Sequence, residues 1–299
     1  MKYFIADGED HRLDPVSRQD LRGSFVELSD GVTHYALAGP DGGEVVLLAG
    51  GLTVPLFYWD GLAAELHTRG LRTLACSAYG RGYSDRVRAT YDETLFVRQL
   101  AELTDRLGIG QPVHLVGTSM GALVAMQYAT RHRESLATLT LAGPAGLIRQ
   151  KLPPHRLLAS DLPAGFVARR FGRRLLESHL GHNVRDPERS AELTAMVLEA
   201  YSYEGSLYAF FDTLQHLPLS GRTELFQRVG TLEIPTLLLW GEDDKVTPIG
   251  QLAAARSLLK PQQCHVIQDC GHMAPYEQPR EVAERIASFT ATRTERQGS

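Results

Sequence analysis

Cysteine is scarce in this chain, with three residues among 299 (Cys76, Cys264 and Cys270). A sparse, odd set without CxxC spacing excludes a disulfide scaffold and gives no zinc or iron–sulfur ligand pattern. A reduced, cytoplasmic protein is the simplest reading, with no metal and no organic cofactor called for. Long apolar runs are also missing. None approaches the roughly 18 residues that suggest a membrane helix, and the stretch from Met1 turns acidic at Asp7–Asp10, too early for the apolar core of a signal peptide. Nor is there an excess of positive charge. Thirty-one Lys and Arg stand against 35 Asp and Glu, for a net charge of −4, so the chain lacks the basic footprint of a nucleic-acid-binding protein. Only four of the cations are lysine. No signal for an oligomeric state is present.

An alternation of apolar and helical segments is what the chain does have. Phe25–Leu28 and Val32–Leu37 flank Ser29-Asp30-Gly31, the signature of a hairpin. Strand-like runs follow near 45–49, 71–76, 112–117, 136–142, 235–240 and 264–268, with helical segments near 59–69, 91–108, 119–132, 248–259 and 279–292. That rhythm predicts an α/β fold, a mostly parallel sheet flanked by helices with an antiparallel hairpin at its start. It breaks between Gly146 and about Val229, where only helical patterns occur: Gly165–His179, Pro187–Tyr201 and Ser206–Leu217. Asp186 and Pro187 form a helix start, the acid as cap and the proline in the first turn. The division expected is an N-terminal arm or surface strap over 1–24, a core over 25–145 and 230–299, and an all-helical insertion over 146–229.

The most specific motif is Gly117-Thr118-Ser119-Met120-Gly121, which follows the apolar run Val113–Val116 and precedes Ala122–Met126. Strand, Gly-x-Ser-x-Gly and helix in that order form a nucleophile elbow, a strained turn that lifts one hydroxyl to the top of a sheet. A Cβ at 117 or 121 is expected to collide with the turn's neighbours. A serine hydroxyl needs a base, and the base needs an orienting carboxylate. Asp244 lies just past the strand Ile234–Trp240. His272 lies past the strand Cys264–Ile267. Ser119, Asp244 and His272 therefore follow the chain order Ser, acid, His.

These motifs resemble the α/β-hydrolase superfamily, from about Phe25 to about Phe289, and in particular its monoacylglycerol lipase and carbon–carbon hydrolase branch. Gly241, Asp244 and Pro248 match the family's acid loop and single out Asp244, with Asp243 as fallback. Gly271, His272, Glu277 and Pro279 match its histidine loop, and Gly80-Arg81-Gly82-Tyr83-Ser84 its Gly-x-Gly-x-Ser loop. The resemblance implies an oxyanion hole made by the backbone amides of Met120 and Leu52, and a helical cap over the site. One departure is Gly50, which, counting back from Trp59, occupies the place of the family's usual histidine. That loss is expected to loosen the loop or widen the pocket. Pocket candidates are Gly50, Gly51, Thr53, Thr118, Tyr208, Phe211 and Met273.

The reaction expected is hydrolysis of a small-molecule ester, lactone or thioester with an apolar or aromatic acyl group. Carbon–carbon bond hydrolases of this fold typically place Asn before the serine and Trp after the histidine, where this chain has Thr118 and Met273. A biosynthetic lyase, cyclase or thioesterase remains open, as does perhydrolysis, which usually shows Phe before the serine. Haloalkane dehalogenation is excluded, since it requires an aspartate where Ser119 stands. The alternative from another class is a ligand receptor on a hydrolase scaffold. In the insertion, Val167, Phe171 and Leu175 form an apolar stripe beside Arg169, Arg170, Arg173 and Arg174. Those arginines read first as a solvated face, and second as contacts for an anionic substrate or an acidic carrier protein.

Overall fold

A computed structural model describes residues 2–148, 161–180 and 183–297. The segment 149–160 of the expected insertion lies outside the described residues. Eight strands form one sheet in the order β1-β2-β4-β3-β5-β6-β7-β8. They are β1 Ser24–Glu27, β2 Val32–Ala38, β3 Val45–Ala49, β4 Arg72–Cys76, β5 Val113–Thr118, β6 Leu136–Ala142, β7 Thr236–Gly241 and β8 Gln263–Ile267. The hairpin β1–β2 pairs antiparallel, Glu27 facing Val32, and β2 joins β4 antiparallel. From β4 to β8 every pairing is parallel. Strands β5, β6 and β7 are buried at every position, which explains their unbroken apolar runs: helices cover both faces.

The core helices are α1 Asp60–His67, α2 Glu93–Arg106 and α3 Met120–Arg131, and, after the insertion, α8 Leu252–Leu259, the short α9 Ala274–Glu277 and α10 Pro279–Gln297. Helix α3 buries nine of its twelve residues, so it is apolar almost all round. Between β6 and β7 the insertion contributes α4 Asp161–Leu180, α5 Pro187–Ala200, α6 Ser206–His216 and α7 Thr223–Val229. Asp186 accepts from the Arg189 amide at 2.9 Å and caps α5, with Pro187 in its first turn. Helix α7 has no counterpart in the sequence reading, because seven residues show too little periodicity to stand out.

The stripe Val167, Phe171 and Leu175 does not face the core. The buried line of α4 is Ala168, Gly172, Leu176 and Leu180, which meets α6 where the Gly172 position lies 3.0 Å from the Phe211 ring. Two small residues let the helices approach closely there.

The arm is a strap. Phe4 and Ala6 are buried. The Glu9 carboxylate accepts from the amides of Ala6, Gly205 and Leu207 at 2.9, 2.9 and 2.6 Å, the last two at the start of α6. Burial raises the Glu9 pKa against the pull of those three amides.

Within β2 of the hairpin, His34 is fully buried. Its Nε2–H donates to the Arg22 carbonyl at 2.8 Å, and its Nδ1 lies 3.0 Å from Ser77 Oγ. The same Oγ accepts from the Leu56 amide at 2.9 Å, so its proton points at Nδ1 and the neutral ring is the one that fits. Burial lowers the His34 pKa to about 4. The unfolded chain takes up this proton near pH 6.5 and the folded chain only near 4. Stability is therefore full above 6.5 and falls by about 3 kcal/mol as pH drops through that window. Urea midpoints measured across it should fall in the native protein, and His34→Gln should flatten that part of the slope.

Candidate active site

The strand order reverses between β3 and β5, since β4 lies to one side of β3 and β6 to the other side of β5. Ligands of open α/β sheets bind at the carboxyl ends of strands beside such a switch. Here Ala49 pairs with Gly117 at those ends, which sets the loop after β3 against the turn after β5.

That turn holds Ser119 at φ 53°, ψ −117°, a conformation costly for any residue with a Cβ. Its neighbours show why glycines flank it. A Cβ on Gly121 would stand 2.2 Å from the Ala49 carbonyl oxygen and 2.4 Å from that of Gly50. One on Gly117 would stand 2.5 Å from the Gly121 oxygen. Both collisions are with backbone, which cannot swing aside. Ser119 itself is only partly buried. Among the described residues, the amides of Leu52 and Met120 take no part in the backbone bonds that fasten the loop and turn.

Asp244 and His272 come together 28 residues apart, with His272 Nδ1 2.8 Å from Asp244 Oδ2. The carboxylate is held from three sides. Oδ1 accepts from the Val246 and Thr247 amides at 2.9 and 2.8 Å, and Thr247 Oγ1 donates to Oδ2 at 2.7 Å. Asp243 instead turns outward and pairs with Arg185 at 3.1 Å. The loop after β6 ties the pair to the serine. Ser119 N donates to the Ala142 oxygen and Ala145 N to the Ser119 oxygen. Between them a Cβ on Gly143 would lie 3.1 Å from Asp244 Oδ2 and 3.3 Å from His272 Nδ1. Among the described residues, His272 Nε2 is buried with no hydrogen-bond partner. The site thus offers a hydroxyl on a strained turn and an imidazole anchored at one nitrogen and open at the other.

The histidine loop is shaped by Glu277. This carboxylate accepts from the Gly271 and Met273 amides on either side of His272, each at 3.0 Å, and from Arg185 N at 2.8 Å. His272 N donates to the Asn183 oxygen at 3.0 Å. The Asn183 side chain is buried with neither amide atom paired among the described residues. Neither Asn183 nor Thr247 carried a sequence signal: Asn183 acts through a contact with a distant segment, and Thr247 acts on Asp244, three residues before it. Cys270 is buried, and burial together with the Glu277 charge pushes its thiol pKa up, so it is an inert packing group.

Gly50 opens no wide space. The position where its Cβ would stand lies 2.9 Å from Val54 Cγ2, so valine occupies that space. Beside Gly50 and Met120 remains a cavity of about 20 Å³, walled by residues such as Cys76, Phe96 and Val124, with room for about one water. The loop is not loose either. Arg81 lies fully buried below it and donates through Nε to the Leu52 oxygen at 2.8 Å. Its other nitrogens reach the Tyr79 oxygen at 3.0 Å and Thr213 Oγ1 on α6 at 2.8 Å. Gly51 lies beside Ser119, its Cβ position 3.4 Å from the serine Cβ. Thr53, Thr118 and Met273 are buried. The Tyr208 ring meets Tyr3, Phe4 and Tyr91, and Phe211 meets Phe210 and the Gly172 backbone.

Arg81 is the loop-holding residue that the motif spacing concealed, since its position is variable in a Gly-x-Gly-x-Ser pattern. A hydrogen bond to a charged group contributes about 1.5–3 kcal/mol, and an orphaned buried partner costs about 1–3 kcal/mol. Arg81→Lys, which cannot reach three acceptors at once, should lose about 2 kcal/mol or more in urea unfolding. Thr213→Val, which frees only the α6 side, should lose less.

A sequence profile for the alpha/beta hydrolase fold matches residues 44–279. The chain is 27% identical over 297 residues to 2-hydroxy-6-oxo-6-phenylhexa-2,4-dienoate hydrolase of Comamonas testosteroni, covering 97% of this chain and 99% of that one. It is 23% identical to monoacylglycerol lipase abhd6-B of Xenopus laevis, over 66% of this chain and 60% of that one. Among solved structures, a thermophilic esterase from Thermogutta terrifontis superposes with a TM-score of 0.76 at 24% identity, covering 91% of this chain and 99% of that one. With an eight-stranded sheet of the same architecture and a profile match across most of its length, the chain belongs to the alpha/beta hydrolase fold family.

Proposed function

We propose that the protein is a serine hydrolase that cleaves a carboxylic ester, lactone or thioester of a small apolar or aromatic acyl group. The observation that carries this reading is the His272 ring, fixed to Asp244 through Nδ1 and, among the described residues, unpaired at buried Nε2, at the sheet edge that also holds Ser119. Asp244 keeps the proton on Nδ1, which leaves Nε2 as the base. Ser119 Oγ attacks the acyl carbon and passes its proton to Nε2. The oxyanion takes hydrogen bonds from the Leu52 and Met120 amides, groups of a kind worth about 3–4 kcal/mol each. The tetrahedral adduct collapses as the imidazolium protonates the leaving alcohol. Water, deprotonated by the same nitrogen, then releases the acid and restores Ser119. Residues 146–229 act as the cap, and Arg81 joins that cap to the loop that bears the Leu52 amide.

A second reading is carbon–carbon bond hydrolysis, favoured by the full-length likeness to 2-hydroxy-6-oxo-6-phenylhexa-2,4-dienoate hydrolase. Thr118 and Met273 count against it. Both readings use the same three side chains, so substrates separate them.

Intact-mass measurement after treatment with a small fluorophosphonate should show one adduct, absent in Ser119→Ala. A p-nitrophenyl ester panel from acetate to dodecanoate should show turnover that falls by several orders of magnitude in Ser119→Ala, with the urea midpoint little changed. Asp244→Asn, which permits the wrong tautomer, should lower kcat by about 10⁴-fold. Labelling with turnover of a vinylogous 1,5-diketone and of no ester would transfer the assignment to the second reading. Full ester turnover by Ser119→Ala would refute the mechanism.

A further inference from the structure

Arg81 is a buried charge that the reaction steps above leave unused. Its side chain has no exposure, and its hydrogen bonds all go to neutral oxygens, those of Leu52, Tyr79 and Thr213. Among the described residues no carboxylate pairs with it. The rings of Tyr91 and Phe96 stand 5.9 and 5.5 Å from the guanidinium, so apolar walls surround the charge. Burial lowers the Arg81 pKa, yet a guanidinium keeps its proton inside proteins. Holding three oxygens calls for donors and not for a full charge. A buried cation without a counter-ion in contact is costly, and a retained cost of this kind points to use.

The charge stands behind the loop after β3. Arg81 Nε meets the Leu52 oxygen at 2.8 Å, and Leu52 follows Gly51, whose Cβ position lies 3.4 Å from the Ser119 Cβ. The acid that acts on Arg81 lies on its other side. Asp212 precedes Thr213 on α6, and its Oδ1 is spent on the Tyr91 amide at 2.9 Å and on His216 Nδ1 at 3.0 Å. A second buried guanidinium, Arg86, is felt by Arg81 and is itself offset by Glu9. Arg81 thus stands between Leu52 and the helix that bears Asp212, with the positive charge nearer the loop.

We propose that Arg81 is a positioning residue of the oxyanion hole, one that acts through the Leu52 segment and whose buried charge stabilises the oxyanion formed when Ser119 attacks. This rests on the serine-hydrolase reading, with the Leu52 amide as a donor. An ester carbonyl carries little charge before attack and nearly a full one after it. A fixed cation behind the hole therefore favours the transition state over the bound substrate, and acts on kcat more than on KM. In a dry interior such a charge is screened far less than in water. The bonds to Tyr79 and Thr213 hold the guanidinium in place, so no reorganisation is needed as the oxyanion develops.

Steady-state turnover of p-nitrophenyl acetate by the full-length protein and two variants tests this, with a small alkylboronic acid as inhibitor. Such an acid binds a reactive serine as a tetrahedral anion. Arg81→Gln is neutral, and should lower kcat about tenfold or more with KM within about twofold. Its affinity for the boronic acid should fall by the same factor. Arg81→Lys restores the charge with fewer bonds, and should keep kcat within about threefold of native although its urea midpoint drops. Native kcat in Arg81→Gln, a loss confined to KM, or equal losses of kcat in both variants would overturn the proposal. The last result would leave Arg81 holding the loop and nothing more. Should Arg81→Gln not fold by circular dichroism, Arg81→Lys decides, since a folded lysine variant that loses tenfold in kcat and in boronic acid affinity overturns it too. Failure of the serine-hydrolase reading looks different, because the native protein itself would then neither label with fluorophosphonate nor turn over esters.

Discussion

The sharpness of one turn sets everything at the carboxyl edge of the sheet. With Ser119 at positive φ, the chain reverses from β5 into α3 so tightly that the oxygens of Ala49 and Gly50 come within about van der Waals contact of the Gly121 backbone. The loop after β3 can therefore lie against the serine with its amides unspent. Strain of this kind persists only where the surroundings enforce it. Here they do, since β5 is buried along its whole length and α3 on most of its surface.

Around that turn, backbone is held by buried charges. Glu277 gathers three amides about the His272 loop, Asp244 gathers two with a hydroxyl, and Arg81 gathers two carbonyl oxygens and a hydroxyl. Loops carry many polar groups that cannot be left unpaired when covered. A side chain with several donors or acceptors satisfies them at one stroke and fixes their geometry. The acid loop and the histidine loop thus reach a common rigidity from separate segments of sequence.

Much of this was legible in advance because it is local. Asp-Gly at the hairpin, Gly-x-Ser-x-Gly between strand and helix, and the acid before Pro187 each announce a conformation through their own sterics. Asp244 was separable from Asp243 only by resemblance, and in three dimensions by the ion pair that Arg185 makes with Asp243. Arg81 and Asn183 were illegible because partners of theirs lie far away in the chain, and Thr247, though only three residues from Asp244, because a threonine in a loop announces no partner. The inner face of α4 was illegible for another reason. Apolar bulk at 167, 171 and 175 satisfies helical spacing, yet the packed line is the one with alanine and glycine, where the need for close approach to α6 outweighs apolar area.

The strap adds a constraint in time. Glu9 finds its amide partners about 198 residues further along the chain. At about 5–20 residues per second of synthesis, the strap waits tens of seconds before the start of α6 exists to receive it. During that interval Phe4 and Ala6 have nowhere to bury. The strap is then among the last segments to settle, and it closes over helices that must already have formed beneath it. An extension placed ahead of Met1 would meet the molecule at the final step of its assembly, on the face where α4 is exposed.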